Sequence, residues 1–266
     1  MLFSSLVRIR KNVPLAHITD ACSTGANQGL GFSIAEVFSQ SKQTYTVLVG
    51  SRDQSRGEEA ASKLSSSKTN DASTVSAIQI DITSSGSITR ALDDIKTKYG
   101  RVDILVNNAG VFGVPGKMWN STTRPDWRAI FEVNVFGAIE LVELAFPLLR
   151  ESSSPRVVVV SSNMGSISKV AEGHVPTGPA GVYYSSSKAA INAMVANWSQ
   201  LQKEIKFWAV CPGLVATEFG GDFTKQHGRS PKDAAAIVRM CAEGEKDDVT
   251  GKFIWDQDGD SGVYGW

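Results

Sequence analysis

The sequence predicts an α/β chain: a single doubly wound domain in which helices flank both faces of a parallel sheet. Two observations carry that prediction. Strand-like apolar runs alternate with helix-like stretches from residue 44 to residue 241, as parallel sheets require, because each parallel crossover uses a helix. The run Val157, Val158, Val159 and Val160 is unbroken, which suits a strand buried on both faces. Right-handed crossovers then bring the C-terminal ends of the strands to one edge, where a ligand is expected.

The elements follow in order. Residues 1–12 carry Arg8, Arg10 and Lys11 without an acid. They read as part of a basic N-terminal extension over residues 1–15, ahead of one domain over 16–266. A mitochondrial address shares that composition but is usually longer. The strand expected at residues 17–23 contains Asp20, a carboxylate that a central strand could not bury without a partner. The strand starts earlier, is displaced, or residues 1–23 lie outside the sheet; all three stay open here. Strands are expected at 44–49, 75–80, 104–106, 156–160 and 205–210, and helices at 54–64, 85–99, 127–149, 182–201 and 231–241. Residues 62–74, rich in serine, read as an exposed loop.

Composition narrows the function. The 266 residues include 27 basic and 27 acidic side chains, with 42% hydrophobic and 20% charged residues, an ordinary globular balance. Zero net charge removes the long-range attraction expected of nucleic-acid or anionic-membrane partners. Cys22, Cys211 and Cys241 lack C-x-x-C spacing and His17, His174 and His227 lack ligand spacing, which argues for a reducing, cytoplasmic setting and against zinc. Apolar runs fall far short of the ~20 residues that span a bilayer.

Thr24-Gly25-Ala26-Asn27-Gln28-Gly29-Leu30-Gly31 is the first motif with chemistry in it. Glycines let the backbone approach a pyrophosphate closely, and the helix beginning near Leu30 aims its free N–H groups at the anion. The G-x-x-x-G-x-G spacing resembles that of short-chain dehydrogenases/reductases, and the resemblance extends from about residue 24 to the C-terminus. It implies a Rossmann-type fold that binds NAD(P). Where an NAD-selecting acid would close the second strand stands Ser51, followed by Arg52. A guanidinium can fork onto a 2′-phosphate, so NADP(H) is favoured over NAD(H). By resemblance, Asp81 bonds the adenine amino group and Ile82 lies beside the ring. Asn107, Ala109 and Gly110 line the adenosine half, and Pro212, Gly213, Val215 and Thr217 pack on the nicotinamide side.

Tyr184-Ser185-Ser186-Ser187-Lys188 holds the expected catalytic pair. Residues four apart share a helical face, so Lys188 and Tyr184 reach one ligand while Tyr183 points elsewhere. A phenol titrates near pH 10 in water, and a nearby ammonium is expected to lower that value. Ser161 and Ser162 both stand at a strand end, and periodicity does not choose between them. The family pattern with Asn163-Met164-Gly165 selects Ser162, and it matches Asn134 to an asparagine of a proton relay. The implied activity is reduction of a ketone or aldehyde, or the reverse oxidation, on a small-molecule substrate by a carbonyl-reductase-like enzyme.

Two other readings remain: a dinucleotide-binding sensor without turnover, and an epimerase or dehydratase of the same fold. Family members are commonly dimers or tetramers, so a homo-oligomer is compatible with the sequence. Cys211 reads as a buried small hydrophobe and His174 as an exposed loop residue. Trp255 and Trp266 border the site or an interface. Asp256, Asp258 and Asp260 read as a solvated tail, because the calcium-loop frame is incomplete.

Overall fold

The computed structural model describes residues 15–19, 29–113, 123–175, 179–257 and 260–266. Strands β1 (Leu15–Thr19), β2 (Thr46–Ser51), β3 (Thr74–Gln79), β4 (Ile104–Asn107), β5 (Arg156–Val160), β6 (Lys206–Cys211), β7 (Lys252–Gln257) and β8 (Asp260–Tyr264) form one sheet. Its order is β3-β2-β1-β4-β5-β6-β7-β8. Neighbours are parallel up to β7, and only β8 runs antiparallel. The helices are α1 (Leu30–Ser39), α2 (Gln54–Ser67), α3 (Ser85–Tyr99), α4 (Arg124–Phe131), α5 (Ala138–Arg150), α6 (Ile167–Ala171), α7 (Pro179–Leu201), α8 (Gly221–His227) and α9 (Pro231–Ala242).

The valine run explains the layering. Val157 and Val159 pack with α3, α5 and α7 on one face. Val158 and Val160 pack with α1 and α9 on the other. Side chains alternate along a strand, so four apolar residues in a row serve two cores at once. Each fully buried valine stabilises the fold by about 2 kcal/mol. Helix ends follow local chemistry: Ser84 accepts from the Ser87 amide to open α3, and Gly100, at φ 78, closes it.

Several expectations shift. The first strand starts at Leu15, ahead of the expected segment, and ends at Thr19, between β2 and β4. Asp20 lies outside the described residues. Helix α2 continues to Ser67, taking up part of the expected serine-rich loop. Residues 127–149 are not one helix: a π-helical segment, Glu132–Gly137, separates α4 from α5. Asp256 and Asp260 do not lie in a solvated tail but in the antiparallel pair β7 and β8, with Asp256 held by Arg229. Asp258 lies outside the described residues.

Candidate active site

Strand ends and one helix bring the expected catalytic side chains together. Helix α7 presents Tyr184 and Lys188 one turn apart. The Lys188 Nζ lies 5.8 Å from the Tyr184 ring centroid and donates to the Val160 carbonyl at 2.8 Å. Ser162, just past β5, hydrogen-bonds the Tyr184 phenol, and its Oγ accepts from the Met164 amide at 3.2 Å. Ser161 turns away: its Oγ is buried and without a hydrogen-bond partner. Tyr183 faces Trp127, with ring centroids 6.2 Å apart.

Asn134 sits inside the π-helical segment, where an extra residue per turn swings a side chain out of the α-helical register. Its Oδ1 accepts from the Val111 amide at 2.7 Å. Its Nδ2 donates to the Val111 carbonyl at 2.9 Å and to Ser187 Oγ at 3.0 Å. Both amide hydrogens are thus engaged, which makes this side chain a clamp between the β4 end and α7. Ser187 completes the clamp by donating to the Tyr184 carbonyl at 2.7 Å. The sequence reading did not single out Ser187, although its place three residues after Tyr184 puts it on the adjoining helical face.

Burial governs the phenol. Tyr184 is 5% exposed, and desolvation pushes its pKa above the ordinary value, with the Ser162 hydrogen bond pulling weakly the other way. The lowering by Lys188 expected from spacing does not prevail, so the phenol is protonated at neutral pH. Burial likewise pushes up the Cys211 thiol, whose Sγ accepts from the Asn163 amide at 3.1 Å. His174 is exposed beside Glu172 at 3.0 Å.

The residues expected to hold a dinucleotide lie along the same edge. Gly25, Asn27 and Gln28 are outside the described residues. Gly29 adopts φ 86, open mainly to glycine. It caps α1 without a side chain, leaving the first N–H groups of Leu30, Gly31 and their neighbours for an anion. A Cβ on Gly29 would lie 3.5 Å from Thr217 Cγ2, and one on Gly110 would lie 3.5 Å from Lys188 Nζ. The start of α1 thus lies against the segment after β6, and Gly110 against Lys188; with free N–H groups at Gly29 and the first turn of α1, these residues fit a dinucleotide. Ser51 is buried, with its hydroxyl bound to the Asp53 carbonyl at 2.8 Å, whereas Arg52 is exposed. Asp81 Oδ1 accepts from Thr83 at 2.7 and 2.9 Å. Ile82 is 1% exposed inside the core, so its side chain does not lie beside a ring; only its backbone is available. Asn107 and Ala109 are buried as well, Asn107 donating to the Ala138 carbonyl at 2.9 Å. Pro212 is buried, and Gly213 (φ 76) and Val215 line the turn, which Val215 ties to Arg229.

A family model described as short chain dehydrogenase matches residues 20–228. The chain belongs to the short-chain dehydrogenase/reductase family. The short-chain dehydrogenase anuI of Penicillium roqueforti is 38% identical over 243 residues, covering 88% of this chain and 92% of that protein. A 3-ketoacyl-ACP reductase from Sinorhizobium meliloti 1021 superposes with a TM-score of 0.75 at 26% identity, covering 91% of this chain and 97% of its own. An alcohol dehydrogenase from Thermococcus sibiricus, complexed with 5-hydroxy-NADP, matches with a TM-score of 0.75 at 23% identity, covering 92% and 96% of the two chains. That last likeness is one of fold. As a short-chain dehydrogenase/reductase, the protein is an oxidoreductase with a Rossmann-like sheet. Among the described residues no helix is long and apolar enough to cross a membrane.

Proposed function

We propose that this oxidoreductase interconverts a carbonyl and an alcohol with NADP(H), working in a reducing compartment on a small-molecule substrate. The observation that carries the reading is the buried contact of Tyr184 with Ser162, backed by Lys188. The dinucleotide, when bound, supplies or accepts the hydride. Ser162 donates a hydrogen bond to the substrate oxygen and makes its carbon more electrophilic. Tyr184, protonated by virtue of its burial, gives its proton to the oxygen as negative charge develops there. Lys188 holds positive charge one helical turn away, which favours the phenolate left behind. Asn134 and Ser187 keep α7 in register with the β4 end. Arg52, exposed at the close of β2, forms no ion pair among the described residues and is free to meet a 2′-phosphate. Gly25, Asn27, Gln28, Gly29, Leu30 and Gly31 would cradle the pyrophosphate, with Asp81 toward the adenine and Thr217 toward the nicotinamide side.

The test is oxidation of NADPH and of NADH over a panel of aldehydes and ketones, by wild type and Arg52→Ala. Turnover should favour NADPH, and Arg52→Ala should erase most of that preference while sparing NADH. Dinucleotide binding with no turnover across the panel would replace this reading with that of a sensor.

A further inference from the structure

The proton donor does not sit in a polar chamber. Phe112, on the loop after β4, meets the Tyr184 ring edge-on with centroids 4.7 Å apart. Phe219, in the short 3₁₀ turn Glu218–Gly220 after β6, lies 6.0 Å from Tyr184 and 6.1 Å from Phe112. The three rings come from three separate segments of the ligand-binding edge and close a triangle on the reacting phenol.

Their burial is uneven. Tyr184 is 5% exposed, Phe219 is 37% exposed, and Phe112 is half-buried. Phe219 leaves apolar ring surface uncovered beside the phenol. Leu214 and Phe223, 42% and 64% exposed, extend that surface across the same segment. The charges nearby serve one another: Lys225 pairs with Glu218 at 2.8 Å and with Asp222 at 3.7 Å. The Phe219 amide donates to Thr217 Oγ1 at 3.3 Å, and the segment around it is hydrogen-bonded in turn. Thr224 Oγ1 donates to the Thr217 carbonyl at 2.8 Å, and the Ala216 amide donates to the Arg229 carbonyl at 2.9 Å.

We infer that Phe112 and Phe219 are specificity-determining residues that select a neutral substrate carrying an aromatic ring on the carbon next to its carbonyl. This rests on the carbonyl-reductase reading and narrows its substrate class. Aromatic rings favour edge-to-face and offset partners at the separations seen here. A flat ring can join the triangle as a fourth member, whereas a puckered saturated ring of equal carbon count offers no matching face. A charged substrate would be desolvated against phenyl rings without a partner.

Phenylacetone and cyclohexylacetone make a matched pair, because neither carbonyl is conjugated and only the ring differs. Wild type should reduce phenylacetone with kcat/KM about tenfold higher, the scale of one aromatic pair contact. Phe219→Leu and Phe112→Leu should each bring the ratio toward one, mostly through KM, with dinucleotide affinity unchanged. Phe219→Trp should preserve the ratio. A wild-type ratio near one, or one unmoved in both leucine variants, overturns the inference and leaves the reductase reading intact. Turnover of neither ketone overturns the inference, and the reductase reading falls with it only if the wider panel of aldehydes and ketones is also not reduced.

Discussion

At the scale of single residues, burial governs the phenol of Tyr184. Because desolvation raises the Tyr184 pKa above the ordinary phenol value, the acid form persists through neutral pH. Reduction should therefore hold a flat kcat from pH 6 to about 9 and fall only as pH approaches ~10 or more. Oxidation of the alcohol should rise over the same interval, since it needs the phenolate. A flat reduction rate beside a rising oxidation rate is the expected measurement; a reduction rate that falls between pH 6 and 8 would contradict this account. Gly137 sets a steric limit of a different kind. A Cβ there would lie 2.1 Å from the Ile82 carbonyl oxygen, so Gly137→Ala must push the π-helical segment off β3's exit. A loss of about 1–3 kcal/mol, read as a lower Tm, should accompany slower turnover because Asn134 moves with it. Tyr184 and Lys188 stood out in the sequence by their type and four-residue spacing, whereas Ser162 and Asn134 were assigned only through the resemblance to the family. The burial of the Ile82 side chain was not legible, because an aspartate-isoleucine pair shows nothing of which atoms face the core. Ser187 was overlooked because one serine among three carries no distinguishing mark.

At the scale of elements, the C-terminal hairpin acts on the site at a distance. Ser166 Oγ donates to the Gly265 carbonyl at 2.6 Å, and the Ser168 amide donates to the Trp266 carbonyl at 3.2 Å. Lys169 lies 4.8 Å over the Tyr264 ring, and Trp266 stacks on Phe253 at 6.2 Å. The loop that follows Ser162 is thus fastened to β8. Gly165 lets it press on α7, since a Cβ there would come within 2.8 Å of Lys188. Deleting residues 260–266 should lower Tm and reduce kcat while leaving dinucleotide affinity nearly unchanged. Equal losses of affinity and kcat would instead mean a general loss of folding. The hairpin was invisible to sequence reading because alternating aspartates suggested a solvated tail, and a two-stranded edge needs its neighbour β6 to become stable. The π-helical break was invisible for a related reason: residues 127–149 keep a helical pattern, and only contact with Ile82 and Val111 selects the wider turn. The parallel strands were legible because burial on both faces demands uninterrupted apolar runs.

At the scale of the whole molecule, the two long edges of the sheet do different work. The C-terminal edge gathers the candidate site. At the opposite edge, Asp247 binds both Arg156 and Lys206, tying β5 and β6 to the segment before β7. Hydrogen bonding from Arg156, then from Lys206, lowers the Asp247 pKa to about 2. A depressed carboxylate stabilises the fold above its unfolded value near 4 and loses that contribution as pH falls toward 2. Asp247→Asn should therefore lower Tm at pH 7 and flatten the acid dependence between pH 4 and 2. The carboxylate is about one-third exposed, so screening keeps the effect at about 1 kcal/mol or less. The zero net charge removes long-range attraction for polyanions, and on the proposed reading the backbone at the start of α1 and the exposed Arg52 would hold a dinucleotide without bulk charge. The central claim is that Tyr184 delivers a proton to a carbonyl oxygen beside a bound dinucleotide. Its most direct test is kcat of Tyr184→Phe beside wild type, with dinucleotide affinity measured on the same samples. We predict a loss of 10² to 10⁴ in kcat with affinity retained within a few-fold; turnover within tenfold of wild type would contradict the account.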